Sequence, residues 1–302
     1  MPGSASLSGS SRPGELIARN LLRLAAVLSI IITAGIVVSL LEPAVQFFRE
    51  VPILDFLTGT RWTPRFADAS FGVLPLVTGT FWATLVALVV AVPCGLGAAI
   101  YLSEYAPDRV RRTLKPILEL LAGVPTVVFG YFALTWVSPV ILQDLLNLDV
   151  STFSLLSAGL VMGVMIIPTI ASLSEDAMSA VPGALRQGSA ALGANRMQTS
   201  LRVVVPAAFS GIVAAIVLGI SRAIGETMIV TIAGGVLVQM VSNPTQQGAT
   251  MTAFIASAAL GDSRVGSVEY NALFAVGALL FVLTLIVNLV AVQLVRRFRQ
   301  EY

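Results

Sequence analysis

The chain has 302 residues, of which 56% are hydrophobic and only 11% charged, with a mean hydropathy of +0.90. A soluble domain keeps about a quarter of its residues charged, so lipid is the solvent for most of this sequence. The net charge of +2 is too small to argue for nucleic acid, and there is no histidine and one cysteine, Cys94, which excludes histidine-based catalysis, His/Cys zinc sites and disulfide frameworks.

Cys94 lies inside an apolar run and reads as a small core residue. The single lysine stands in Arg112-Thr113-Leu114-Lys115-Pro116 with no glycine before it. A phosphate-binding loop of the Gly-x-x-x-x-Gly-Lys type is therefore absent, and hydrolysis of ATP by that route is excluded.

Residues 1–15 are small and polar and read as disordered. Arg19 and Arg23 precede an apolar run, Leu24–Leu41, that is longer than a signal-peptide core and lacks a small-residue cleavage site. It reads as an uncleaved first crossing. The segment from Glu42 to Gly72 is the longest exposed stretch, and its Phe47, Phe48, Phe56 and Trp62 read as an interfacial aromatic belt.

Further apolar runs cover Leu74–Leu102, Ile117–Leu142, Phe153–Leu173, Val203–Leu237 and Ala272–Val295. A crossing needs about 20 residues, so six crossings fit. The run from Val203 to Leu237 is too long for one straight helix and must tilt, break or re-enter, with Gly225 and the pair Gly234-Gly235 as breakpoints. Gly159 and Gly163 form a small-xxx-small pair suited to close helix packing. Thirteen of the eighteen basic residues fall in segments that face one side when the N-terminus is inside. The positive-inside rule then puts both termini in the cytoplasm. The expected division is a cytoplasmic tail at 1–20 and a transmembrane domain at 21–302. Within that domain an external loop covers 42–73 and a cytoplasmic loop 175–206.

Two places carry candidate function. Arg222 and Glu226 interrupt the fifth run at i, i+4 spacing, which puts both on one face if the helix is continuous. Each would cost on the order of 3 kcal/mol at the bilayer centre, a cost offset by pairing or by a water-filled cavity. A structural salt bridge between helices is one reading. The other is an anion pathway, because a guanidinium binds phosphate-like oxygens through two parallel bonds. On a continuous helix Arg222 lies in the outer part of the bilayer, about 24 Å beyond Pro206. Glu104 and Glu119 read as solvated rim residues.

The second place is the polar interruption Leu185-Arg186-Gln187-Gly188-Ser189-Ala190-Ala191-Leu192-Gly193. Ala184–Leu192 predicts a short helix with Leu185, Ser189 and Leu192 on one side, capped by a left-handed Gly193. A second short helix is expected through Asn195–Arg202, ahead of Pro206.

This loop resembles the coupling segment of ABC importer permeases, whose pattern is Glu-Ala-Ala, three residues, Gly, nine residues, Ile-x-Leu-Pro. Here Gln187-Gly188-Ser189 stands for the first triplet, Gly193 matches, and Val203-Val204-Val205-Pro206 closes the motif. More narrowly, the chain is similar to phosphate-importer permeases of the PstC type. The similar stretches are Phe71–Pro75 with Gly79-Thr80, Leu102-Ser103-Glu104-Tyr105-Ala106-Pro107, Gly123–Gly130, Ile167-Pro168-Thr169, Glu175–Met178, Val181-Pro182 and Arg222-Ala223-Ile224-Gly225-Glu226-Thr227. The resemblance implies an all-α, six-helix type I (MetI-like) importer fold in the bacterial inner membrane. It also implies a non-catalytic subunit without a cofactor of its own. A second, PstA-like permease, two subunits that bind ATP and magnesium, and an external phosphate-binding protein would complete the assembly. Arg222, Glu226 and Thr227 would line the phosphate path, and residues Leu185–Gly193 with Pro206 would meet the ATPase. The alternatives are a permease for sulfate or molybdate, an ion-coupled secondary anion carrier, and a membrane scaffold without transport activity.

Overall fold

The computed structural model describes residues 13–64, 66 and 68–298, so Arg12, Arg65, Arg299 and most of the stretch expected to be disordered lie outside the described residues. The described chain is helical, and its sole β-type pairing is an isolated bridge between Trp62 and Phe71.

Helix α1 runs Pro13–Glu50, so Pro13–Glu15 open a helix and residues 42–50, expected in the external loop, continue it. After α2 (Ile53–Thr58) the chain turns through the Trp62–Phe71 bridge into α3 (Leu74–Ile100), which widens to i+5 hydrogen bonding over Tyr101–Tyr105. The aromatics of this end are not a belt. Phe47 and Phe56 are 1% exposed and Trp62 7%, and their rings meet edge to face, with Phe47 5.6 Å from Phe56 and Trp62 4.8 Å from Phe254. Leu76, Met251, Ala272 and Val276 complete the cluster. Edge-to-face packing of this kind suits the ring quadrupole and fills a core.

The run expected from Ile117 to Leu142 is two elements. Helix α4 (Asp108–Ala122) carries Arg109, Arg111, Arg112, Lys115 and Glu119 and buries none of its residues. The chain then breaks at Gly123-Val124-Pro125, because a residue preceding proline is pushed out of the α region. Helix α5 (Thr126–Phe132) begins the actual span and continues with i+5 bonding through Ala133–Leu145, around Pro139.

Helix α6 (Leu155–Ser179) is the centre of the bundle, with Ser154 capping its first turn. Ala83, Ala87, Ala91 and Ala99 on α3 are all at or below 1% exposed and recur, with Gly79 and Gly95, every fourth residue. This small-residue face meets Gly159 and Gly163 of α6, so the two backbones run close together. A Cβ on Gly159 would sit 2.7 Å from Val86 Cβ, and one on Gly163 2.8 Å from the Ala87 carbonyl oxygen. Cys94, on the same helix, is exposed on the chain's surface rather than in the core.

The fifth run is broken, and at three points. Helices α8 (Arg196–Thr199) and α9 (Val205–Ala207), joined by the wide turn Ser200–Val204, meet α10 (Phe209–Ile224) at a bend of 73°. Pro206 has no N–H to give to the preceding turn, which accounts for the widening and the bend. Helix α10 stops at Gly225, and the turn Val230–Gly234 stops at Gly235, whose φ of +86° suits glycine. An irregular return leads to α11 (Met251–Ala259) and then α12 (Val268–Phe298), which packs antiparallel on α1, Leu40 lying 3.6 Å from where a Gly277 side chain would begin. Among the described residues five helices are long and apolar enough to cross a membrane, and the bent pair makes six.

Candidate functional site

The polar loop folds as a two-helix knob. Pro182 turns the chain out of α6 into α7 (Gly183–Ala191), Leu192 ends that helix, and Gly193 takes the left-handed conformation at φ +84°. Asn195 and Gln198 then form a reciprocal capping box, each side chain 2.9 Å from the other's backbone N–H, and this starts α8. A 2.9 Å contact between the Ser189 and Thr199 hydroxyls ties the two helices together. Leu185 is half-buried against Met178 and Val204, but Leu192 does not share that face: it is 91% exposed. Gln187, Gly188, Ala190, Ala191, Gly193 and Pro206 are exposed as well. Between α7 and α8 lies a concavity of about 550 Å³, lined by Leu185, Gly188, Ser189, Leu192, Gln198 and Arg202.

Ion pairs fasten this knob to the bundle. Arg186 donates to Glu104 Oε1 at 2.9 Å and to the Val181 and Met178 carbonyls at 2.6 and 2.8 Å, so α7 is pinned both to the end of α3 and to the end of α6. Glu104 is therefore no rim residue; its side chain is 7% exposed. One turn before the knob, the Glu175 side chain is fully buried and accepts from Arg111, Lys115 and Ser179. Lys115 also donates to Asp176 Oδ1 at 2.5 Å. The Asp176 bond, reinforced by Glu175, holds the Lys115 ammonium above its ordinary 10.5. A lysine raised in the folded state stabilises it fully below the unfolded value and loses that contribution as pH climbs through the folded one. The melting temperature of the purified chain should thus show no step from this group between about pH 6 and about pH 9 and a decline only in the alkaline range, with Lys115→Met lacking that decline.

Arg222, Glu226 and Thr227 sit where α10 ends. Arg222 and Glu226 do not share a helix face, because Gly225 closes the helix between them, and no ion pair joins them among the described residues. Instead Glu226, 9% exposed, turns its Oε1 onto the Met228 and Ile229 amides at 3.0 and 3.2 Å and caps the next turn. Its own carbonyl accepts from Thr252 at 2.6 Å. Thr227 contributes its carbonyl to the Thr231 hydroxyl at 2.6 Å.

Arg222 is half-buried and donates from Nη1 to the Thr169 hydroxyl, 3.1 Å away. A guanidinium has five donors, and among the described residues no other side chain or carbonyl takes one. Thr169 is ten residues from the Ser179 end of α6, or about 15 Å along the axis. That is near the middle of α6; because the 73° bend lies between Pro206 and Arg222, the about 24 Å rise of a straight helix from Pro206 does not apply.

Residues 91–300 match the model of the family described as binding-protein-dependent transport system inner membrane component. The chain belongs to this family of ABC transporter permeases. The permease is 38% identical over 272 residues to the probable ABC transporter permease protein YqgH of Bacillus subtilis, covering 89% of this chain and 87% of that one. It is 36% identical over 279 residues to the phosphate transport system permease protein PstC 1 of Mycobacterium bovis, covering 81% and 82% respectively. Among solved structures it overlays a bacterial ABC transporter involved in import of the polysaccharide alginate at a TM-score of 0.64, with 17% identity over 96% of this chain and 100% of that one. At that identity the likeness establishes the fold alone. The permease has the all-helical MetI-like architecture of type I ABC importers.

Neither Glu175 nor the partner of Arg186 is legible as a site in the sequence. Both are ordinary acids in apolar surroundings, and only the fold brings them to basic residues 60 to 82 positions away.

Proposed function

We propose that this permease is one of two membrane subunits of an ATP-driven importer of inorganic phosphate in the bacterial plasma membrane. The observation that carries the reading is Arg222: a guanidinium at mid-bundle whose single partner among the described residues is a neutral hydroxyl. In a medium of low dielectric constant such a charge is costly unless an anion or water meets it. Its unused donors suit the paired oxygens of phosphate. The name of the Mycobacterium bovis relative supports the choice of anion.

In this reading the basic end, with both termini, Arg111, Arg186 and Arg202, faces the cytoplasm, and the aromatic end faces out. A PstA-like permease would supply the other half of the path, and an external binding protein would deliver phosphate. Two ATPase subunits, which hold ATP and magnesium, would bind inside, one of them against the α7–α8 concavity with Leu192 as an apolar contact. Closure of the ATPase pair on ATP would draw the knob, and with it α6 and α10, into the outward-open arrangement. Hydrolysis would reverse that movement and release phosphate inside. Glu226 keeps its carboxylate occupied on backbone amides, which leaves Arg222 free for the anion.

The test is reconstitution with the three partner proteins in vesicles. ATP-dependent uptake of labelled phosphate that excess sulfate does not suppress is expected. Uptake of sulfate in its place would transfer the reading to another oxyanion, and uptake by this chain alone would make it a secondary carrier. In the same membranes, a crosslinker on Ser189→Cys should capture an ATPase subunit.

A further inference from the structure

We infer that Glu175 is a charge clamp that makes α4 move with the coupling loop, so that α4 acts as a lever on the span beginning at Thr126. The inference rests on the proposal that the α7–α8 knob is driven by an ATPase. Helix α4 buries no residue of its own: Val110 and Leu118 are only half-buried and Leu120 is 74% exposed, so apolar packing fixes its position weakly. What holds it is polar. Arg111 reaches Glu175 and, at 2.9 Å, the Ser179 hydroxyl, while Lys115 bonds Glu175 Oε2 at 2.9 Å and Asp176 Oδ1 at 2.5 Å. Ser179 in turn donates to Glu175 at 2.8 Å. A fully buried carboxylate flanked by two cations is held to one geometry, since leaving either charge unpaired is costly.

Both ends of this clamp lead somewhere. Glu175 lies in the last turn of α6, which passes through Pro182 directly into α7. Helix α4 passes into α5 through the three residues Gly123-Val124-Pro125, whose Gly123 and Val124 amides bond back to the Leu120 and Leu121 carbonyls and keep the link short. On α5, Gly130 lies against the turn that Glu226 caps: a side chain begun there would meet Ile229 Cα at 3.1 Å and Ile232 Cβ at 3.2 Å. A displacement of the knob therefore reaches the neighbourhood of Arg222 by a second route, parallel to α6 itself, through elements in direct contact.

The test uses the assembled transporter with Cys94 replaced by alanine and spin labels at Thr113→Cys on α4 and Met197→Cys on the knob. Between the nucleotide-free and nucleotide-trapped states the label distance should hold constant. In Glu175→Gln, which keeps the shape and removes the charge, it should change on trapping. Phosphate carried per ATP hydrolysed should fall by about tenfold, the scale of one lost charged hydrogen bond, with the ATPase still bound. Glu175→Asp should recover part of that ratio. The paired change Arg111→Gln with Lys115→Gln, on a helix that buries nothing, should reproduce the effect if Glu175→Gln fails to assemble. An unchanged distance and ratio in the variants overturns the inference, as does loss of assembly in both. Constant distance in the parent with no phosphate uptake would leave the clamp standing and overturn the choice of substrate.

Discussion

Replacing Arg222 by glutamine is expected to lower ATP-dependent phosphate uptake by about 10- to 100-fold while the complex still assembles and still hydrolyses ATP. The magnitude follows from the charged hydrogen bonds to an anion that glutamine cannot replace, worth about 1.5–3 kcal/mol, where 1.4 kcal/mol is tenfold. Assembly should survive because the one bond lost among the described residues is that to Thr169, a neutral partner, and because Glu226 is satisfied by backbone amides and does not depend on the arginine. Arg222→Lys should recover only part of the activity, since an ammonium keeps the charge and loses the planar fork. Glu226→Gln should be milder than Arg222→Gln, for an amide oxygen still accepts from Met228 and Ile229. Normal uptake in Arg222→Gln would remove the arginine from the pathway and favour a structural role.

The second large effect concerns stability. Gly95→Ala, Gly159→Ala and Gly163→Ala are each expected to destabilise the purified chain by about 1–3 kcal/mol, the range for forcing one carbon into a filled interface. The added carbon would meet Ile170 Cβ at 2.9 Å, Val86 Cβ at 2.7 Å and the Ala87 carbonyl oxygen at 2.8 Å respectively. Gly97→Ala is the control, two residues along the same helix with nothing within 4 Å, and should leave the melting temperature in detergent unchanged or slightly raised. Equal behaviour of Gly95→Ala and Gly97→Ala would mean that α3 and α6 do not pack as described.

The helical class, the knob and the breakpoints at Gly225 and Gly235 can be read from the sequence because each rests on local chemistry. Gly193 and the Asn195–Gln198 box are cap residues, whose preferences act over one turn. The boundary of α4 is harder, since Ile117–Leu121 is the apolar tail of an amphipathic helix and runs without a gap into the apolar span that follows. Periodicity alone does not separate the two; the charges at Arg111, Arg112 and Lys115 and the proline at 125 do. Likewise Phe47, Phe56 and Trp62 have the composition of a membrane belt and of a core, and only their neighbours decide. The i, i+4 pairing of Arg222 with Glu226 failed for a specific reason: the glycine between them, itself named as a breakpoint, ends the helix on which that pairing depended.

The aromatic cluster also settles how the first helix is attached. None of the most apolar stretch of α1 is buried within the chain, and for α12 the share is 11%. Phe47, near the far end of α1, is fastened among Phe56, Leu76 and Ala272. Helix α1 is thus joined to the bundle at its Phe47 end by the aromatic cluster and farther along by α12, and the region matched to the family model starts only at residue 91. Neither α1 nor α12 contributes a residue to the core between α3 and α6, so the two can shift as a pair without repacking that core.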